Sequence, residues 1–201
     1  MRANSLVVLS MAAALVAPSL LGHALAQEQG KASQSDQKVN PEALVLVDFG
    51  KRIEKYLDVR KQAVKDAPSL KETSDASQIQ AAEDTLAQAI RTARATAQPG
   101  DIFTPEIRNR FRHLLYPELK GEAGKNAKEI LKDDAPPTTA VAFKINAKYP
   151  DGTPLPTVPA ALLANLPTLP KELEYRIIGT HLILRDTRAN IIVDYMRDVI
   201  R

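Results

Sequence analysis

The sequence predicts an α+β fold, an N-terminal bundle of three to four helices followed by a small antiparallel sheet. Three observations carry this. Apolar residues repeat with a helical period until shortly before Pro137, the period drops to two after it, and three short strand-like runs separated by tight breaks fill the C-terminal part. The 201 residues suit one domain with or without a tail. The absence of cysteine excludes a disulfide framework, a thiol nucleophile, a zinc ribbon and an iron–sulfur site.

The helical half is expected over residues 41–135. Asn40-Pro41-Glu42 offers a cap, a proline at the first helical position and an acid in the first turn. Leu46, Phe49, Ile53, Tyr56, Leu57 and Val64 then fall within roughly a 100° arc, which predicts a helix over 41–66, closed by Pro68 and Ser69. Leu44 and Val47 lie off that arc; burial by the sheet is the favoured account, and a patch offered to a partner is the alternative. A second helix is predicted over 76–97, capped by Ser74 or Asp75, with Ile79, Ala82, Leu86, Ala89, Ile90, Ala93 and Ala97 on one stripe. Its alanines allow close approach, so it should pack on the first helix as an antiparallel hairpin. Thr104-Pro105-Glu106 starts a third helix that carries Ile107, Phe111, Leu114 and Leu115 and ends near Tyr116-Pro117. A fourth spans 122–132, with Ala123, Ala127, Ile130 and Leu131 on one side, before Asp133-Asp134-Ala135-Pro136-Pro137 closes the half.

The β half is expected over 138–201. Val141, Phe143, Ile145 and Ala147 alternate with Ala142, Lys144 and Asn146, the pattern of a half-buried strand. After Tyr149-Pro150-Asp151-Gly152 comes a proline-rich segment, with one helical turn over 160–165. Strands at 173–178, 181–185 and 191–196, broken by Gly179-Thr180 and by 186–190, predict a meander.

Residues 1–26 read as a signal peptide. Met1 and Arg2 precede an apolar run from Leu6 to Leu21, and Ala24 and Ala26 are small residues at the −3 and −1 positions of a cleavage site ahead of Gln27. The run is about 16 residues and interrupted, short of the roughly 20 of a spanning helix. The expected destination is the periplasm or the medium, with no transmembrane segment after signal removal. Residues 27–40 are polar and read as a flexible tail.

Two stretches carry a resemblance to known proteins. One is Gly100-Asp101-Ile102-Phe103-Thr104-Pro105-Glu106 with Phe111-Arg112 and Pro117-Glu118-Leu119-Lys120-Gly121. The other is Leu166-Pro167-Thr168-Leu169-Pro170, Glu174-Tyr175-Arg176, His181-Leu182-Ile183-Leu184-Arg185-Asp186 and Ile192-Val193-Asp194. Together the chain resembles a group of exported bacterial proteins without a known activity, a likeness that implies no function. The tail alone resembles the short meander of small periplasmic proteins such as the nickel/cobalt homeostasis family, in strand and turn cadence only.

The chemistry is mostly negative. Lys and Arg exceed Asp and Glu by 27 to 24, too small a surplus to indicate a nucleic-acid partner. Ser33, Ser35, Ser69, Ser74 and Ser77 sit in no nucleophile elbow. His113 and His181 lie in different halves without ligand spacing, and His181 at a strand start reads as an edge residue, so no metal and no cofactor are expected. Glu172 and Glu174 on one strand face, with Asp186 and Asp194 around the last hairpin, are the carboxylates available for glycoside chemistry.

One charge feature stands out. Between Arg91 and His113 there are five arginines, Arg91, Arg94, Arg108, Arg110 and Arg112, against Asp101 and Glu106. Arg108 and Arg112 are one turn apart and share a face able to clamp a phosphate or carboxylate; the bland reading is a solvated face with Glu106 pairing Arg110. The sequence favours a non-enzymatic binding or interaction module of the bacterial envelope, its partner an envelope protein or an anionic ligand contacting Arg108, Arg112, Arg91 and Arg94. A small envelope hydrolase using a carboxylate pair is the alternative, and an assembly component is a third.

Overall fold

The computed structural model describes residues 40–66, 73–133, 136 and 141–200. The signal-peptide reading with Ala24, Ala26 and Gln27, the tail over 27–39, Pro68-Ser69 and the break at 134–135 and Pro137 lie outside the described residues. The elements are α1 (Pro41–Asp66), α2 (Ala76–Ala93), α3 (Pro105–Leu115), a 3-10 turn (Tyr116–Leu119), α4 (Gly121–Asp133), α5 (Ala160–Ala164), β1 (Leu173–Ile178), β2 (His181–Asp186) and β3 (Ile191–Met196). This is an α+β protein, helices first and an antiparallel β1-β2-β3 meander after them.

Local chemistry sets the helix starts. The Asp75 carboxylate accepts the Ser77 N–H at 2.8 Å and caps α2. The Thr104 hydroxyl accepts from Ile107 ahead of Pro105 at the start of α3. The apolar arc of α1 meets the core through Phe49, Ile53 and Tyr56, each at most 5% exposed. Leu44 and Val47 are not covered by the sheet as their sequence position suggested; they stand 53% and 52% exposed. Arg110 pairs with Glu42 at 2.6 Å rather than with Glu106, which ties α3 to the first turn of α1.

Both faces of the meander are buried, which explains its near-continuous apolar runs. One face, with Tyr175, Ile177, Leu182, Leu184 and Val193, joins the helices in the main core. The other, with Ile178, Ile183 and Ile192, is covered by Val141 and Tyr149. Phe49, Phe103, Phe111 and Tyr175 form a chain of rings with centroids 5.0–6.1 Å apart, linking α1, the 98–103 loop, α3 and β1. β2 is the central strand, so His181 is not an edge residue. Its ring meets Phe143 edge-on at 4.6 Å, its Nδ1 accepts the Asp198 N–H, and burial lowers its pKa.

Two sequence-derived boundaries are corrected. The helix expected over 76–97 ends at Ala93, and Arg94 leaves it at φ −115°. The strand expected over 141–147 is not a strand. Asn146 turns at φ 61°, and the backbone pairs with β3 only around a single bridge, Lys148 to Ile191. The two corrections have one cause. Arg91 Nε donates to the Asn146 carbonyl at 3.0 Å, Arg94 Nη1 donates to Asn146 Oδ1 at 2.8 Å, and Asn146 Nδ2 donates back to the Arg94 carbonyl at 3.1 Å. That knot stops the helix and holds Asn146 in the left-handed region, which asparagine tolerates.

Gly124 marks the closest approach of α4 to the 3-10 turn. A Cβ there would lie 2.9 Å from Leu119 Cα and would overlap the Leu119 carbonyl group. Backbone cannot swing aside as a side chain can, so Gly124→Ala should destabilise the fold by about 1–3 kcal/mol, read by urea denaturation. An unchanged midpoint would mean that α4 slides freely on the turn.

Candidate functional site

The four arginines singled out by local charge density part company in the fold. Arg91 is spent on the Asn146 carbonyl. Arg108 lies against the 98–103 loop, where a Cβ on Gly100 would be 3.6 Å from its Nη2, and among the described residues its side chain makes no hydrogen bond or ion pair. Arg112 is exposed and donates from Nη2 to the Arg197 carbonyl at 3.2 Å. On the shared helix face the Arg108 guanidinium lies near the 98–103 loop, and that of Arg112 reaches toward the C-terminal segment.

Arg94 has the most informative surroundings. It lines a groove of about 400 Å³ between α1, the end of α2 and the 98–103 loop. Its Nη1 and Nη2 reach Asn146 Oδ1 and the Val193 carbonyl, the latter at 3.1 Å, and its guanidinium sits 5.0 Å from the centre of the Tyr56 ring. All these partners are neutral. Among the described residues no carboxylate comes within ion-pair distance of Arg94. Burial accordingly lowers its pKa, against the longer-range pull of Tyr56, Asp194 and Asp101. A partly buried cation without a counter-ion is unusual, because desolvation is normally offset by a paired charge.

Two more cations border the same groove. Arg52 is held in place by Asp48 at 2.8 Å and by the Asp101 carbonyl at 2.5 Å. Lys55 is exposed and, among the described residues, has no partner. The groove's acid, Asp101, accepts the Gln98 N–H at 2.9 Å through Oδ2. With Arg52 already paired to Asp48, Arg94 and Lys55 face the single lining acid Asp101, and the resulting surplus of positive charge suits the surface to an anion.

Two buried aspartates hold this groove in shape. Asp194, fully buried, accepts the N–H groups of Gly100, Ile102 and Phe103 at 2.8–3.0 Å and that of Tyr195 at 2.8 Å. Asp186, also fully buried, accepts the Tyr56 hydroxyl at 2.8 Å and Arg60 Nε at 2.6 Å on one oxygen, and the N–H groups of Arg188 and Ala189 on the other. Burial first, then Asp186, keeps the Tyr56 phenol well above its ordinary pKa and hence a neutral donor.

The carboxylates named for glycoside chemistry are thus engaged in the fold. Asp186 and Asp194 have both oxygens occupied. Glu174 faces burial that would raise its pKa, but hydrogen bonds from Arg176 and Arg185, each 2.6 Å, outweigh it and hold the carboxyl below the usual range. Glu172 precedes β1 in the turn instead of sharing a strand face with Glu174. Among the described residues no group of three potential ligands is placed to hold a metal ion, and no helix is long and apolar enough to cross a membrane.

Sequence reasoning missed Arg52 and Lys55, which sit about forty residues upstream of Arg94 on a different helix. Their signal was faint: two of many charges on the polar side of α1. Compared with protein-family models, with curated proteins and with solved structures, the chain finds no match in any of the three.

Proposed function

We propose that this protein is a non-enzymatic binding module that works in the bacterial envelope after export, and that its ligand carries a phosphate or carboxylate bound in the Arg94 groove. One observation carries the reading: the Arg94 guanidinium is partly buried against Tyr56 with neutral partners only, beside Arg52 and the unpartnered Lys55. An anion entering the groove supplies the missing counter-charge where solvent screens it least. Export rests on the leader pattern of residues 1–26.

Lys55 is the residue to test, since it borders the groove and bonds to nothing the fold needs. Calorimetric titration of the purified protein with glycerol phosphate should show saturable binding that weakens as salt rises. Lys55→Glu should weaken it by about tenfold or more with an unchanged melting temperature. Binding that ignores both salt and Lys55→Glu would refute the assignment.

A further inference from the structure

The Arg94 groove holds one acid beside its cations, and that acid is fixed in place. Asp101 Oδ2 accepts the Gln98 N–H at 2.9 Å, the Asp101 N–H donates to the Gln98 carbonyl at 3.2 Å, and the Asp101 carbonyl accepts Arg52 Nη1 at 2.5 Å. The loop around it is anchored on the buried Asp194 through the N–H groups of Gly100, Ile102 and Phe103. Resting on the reading of this groove as an anion site, we infer that its ligand is a phosphate monoester that also carries a primary ammonium, with the phosphate at Arg94 and Lys55 and the ammonium at Asp101.

Charge balance separates this ligand from a plain anion. Arg52 is paired with Asp48, so Arg94 and Lys55 are the lining cations without a carboxylate, and Asp101 is the lining acid without an ion pair among the described residues. A phosphate monoester carries a charge of about −1.5 to −2 at neutral pH, close to what two cations neutralise. A plain phosphate would lie in the same groove as the unpaired Asp101 carboxylate and be repelled by it. An ammonium on the same ligand turns that repulsion into an ion pair. Asp101 Oδ1 accepts no hydrogen bond among the described residues, which leaves an acceptor for the ammonium N–H donors.

The two ends of the groove are separate but near. The Asp101 carboxylate lies outside ion-pair distance of Arg94, yet its charge still acts on the Arg94 guanidinium. Between the charged groups the lining includes Val59, Ala93 and Ala97, which suit the short hydrocarbon link of an aminoalkyl ester. Arg94 gives one N–H to Asn146 Oδ1 and one to the Val193 carbonyl, and its other N–H groups have no partner among the described residues. An amino acid would bring one negative charge to two cations, and a quaternary ammonium has no N–H to give Asp101. The volume of about 400 Å³ accommodates a ligand of this size.

The test is calorimetric titration of the purified protein with phosphoethanolamine, alongside glycerol phosphate, phosphocholine and glycerophosphoethanolamine. Phosphoethanolamine should bind about tenfold or more tighter than each of the other three. Asp101→Asn keeps an oxygen for the Gln98 N–H but loses the charge. It should abolish the preference for phosphoethanolamine while glycerol phosphate binds more tightly than before, with an unchanged melting temperature. An Asp101→Asn variant that weakens both phosphates equally would make Asp101 a support of the loop and overturn the inference. Equal affinity of the unaltered protein for phosphoethanolamine and glycerol phosphate would overturn it too, while the anion groove itself stands. Tighter binding of glycerophosphoethanolamine would replace the monoester with a lipid head group. No binding of any of the four would refute the groove as an anion site, and the inference with it.

Discussion

Replacing Asp194 with alanine should lower the free energy of unfolding by roughly 3–5 kcal/mol, read by urea denaturation at neutral pH. The carboxylate is fully buried and receives four backbone N–H groups, two on each oxygen. Alanine leaves all four without that acceptor, and those of Ile102 and Phe103 are buried. The damage spreads through Phe103, whose ring lies between Phe49 and Phe111 at centroid distances of 6.1 and 5.4 Å. Asp194→Asn should recover less than half of the loss, because its amide NH₂ faces N–H groups where an oxygen stood. A loss below about 1 kcal/mol for the alanine variant would mean that the 98–103 loop holds itself.

The second large effect is expected at Asp186. Asp186→Ala strips Arg60, whose side chain is 11% exposed, of its ion pair and takes the acceptor from Tyr56 and from the N–H groups of Arg188 and Ala189. An uncompensated guanidinium in that position costs about 3–5 kcal/mol. Tyr56→Phe removes one hydrogen bond to a charged acceptor and should cost about 1.5–3 kcal/mol. The double variant should lie close to Asp186→Ala alone, since both act through one shared oxygen. Full additivity in such a cycle would show that the hydroxyl and the carboxylate are energetically independent.

Much of this architecture is legible in the sequence, for identifiable reasons. Pro41 and Pro105, each beside a capping residue and an acid, start helices at the positions observed, and Gly179-Thr180 turns the chain between β1 and β2. The failures share a cause, because each depends on a contact between segments far apart in the chain. Asn146 breaks an alternating pattern only because Arg91 and Arg94 reach it from α2. Leu44 and Val47 stay exposed because the core packs on the Phe49 side of α1.

The site was legible in part. Arg94 lines a groove, but its companions Arg52 and Lys55 lie outside the cluster that drew attention to it. Local charge density marks a neighbourhood, whereas a groove is assembled by tertiary packing. Asp194 did leave a trace, as a lone acid inside the run Ile191-Ile192-Val193-Asp194-Tyr195-Met196. A charge in the middle of an apolar strand is expected to be either misplaced or fully hydrogen-bonded, and here it is hydrogen-bonded.

The most direct measurement follows the Arg94 guanidinium itself, by ¹⁵N NMR of arginine Nε–Hε resonances during titration with glycerol phosphate. The account predicts a saturable shift at Arg94 with the same midpoint as the calorimetry, while Arg60, already paired with Asp186, stays in place. An Arg94 resonance that does not move at saturating phosphate would contradict it, and so would one that moves only together with every exposed arginine.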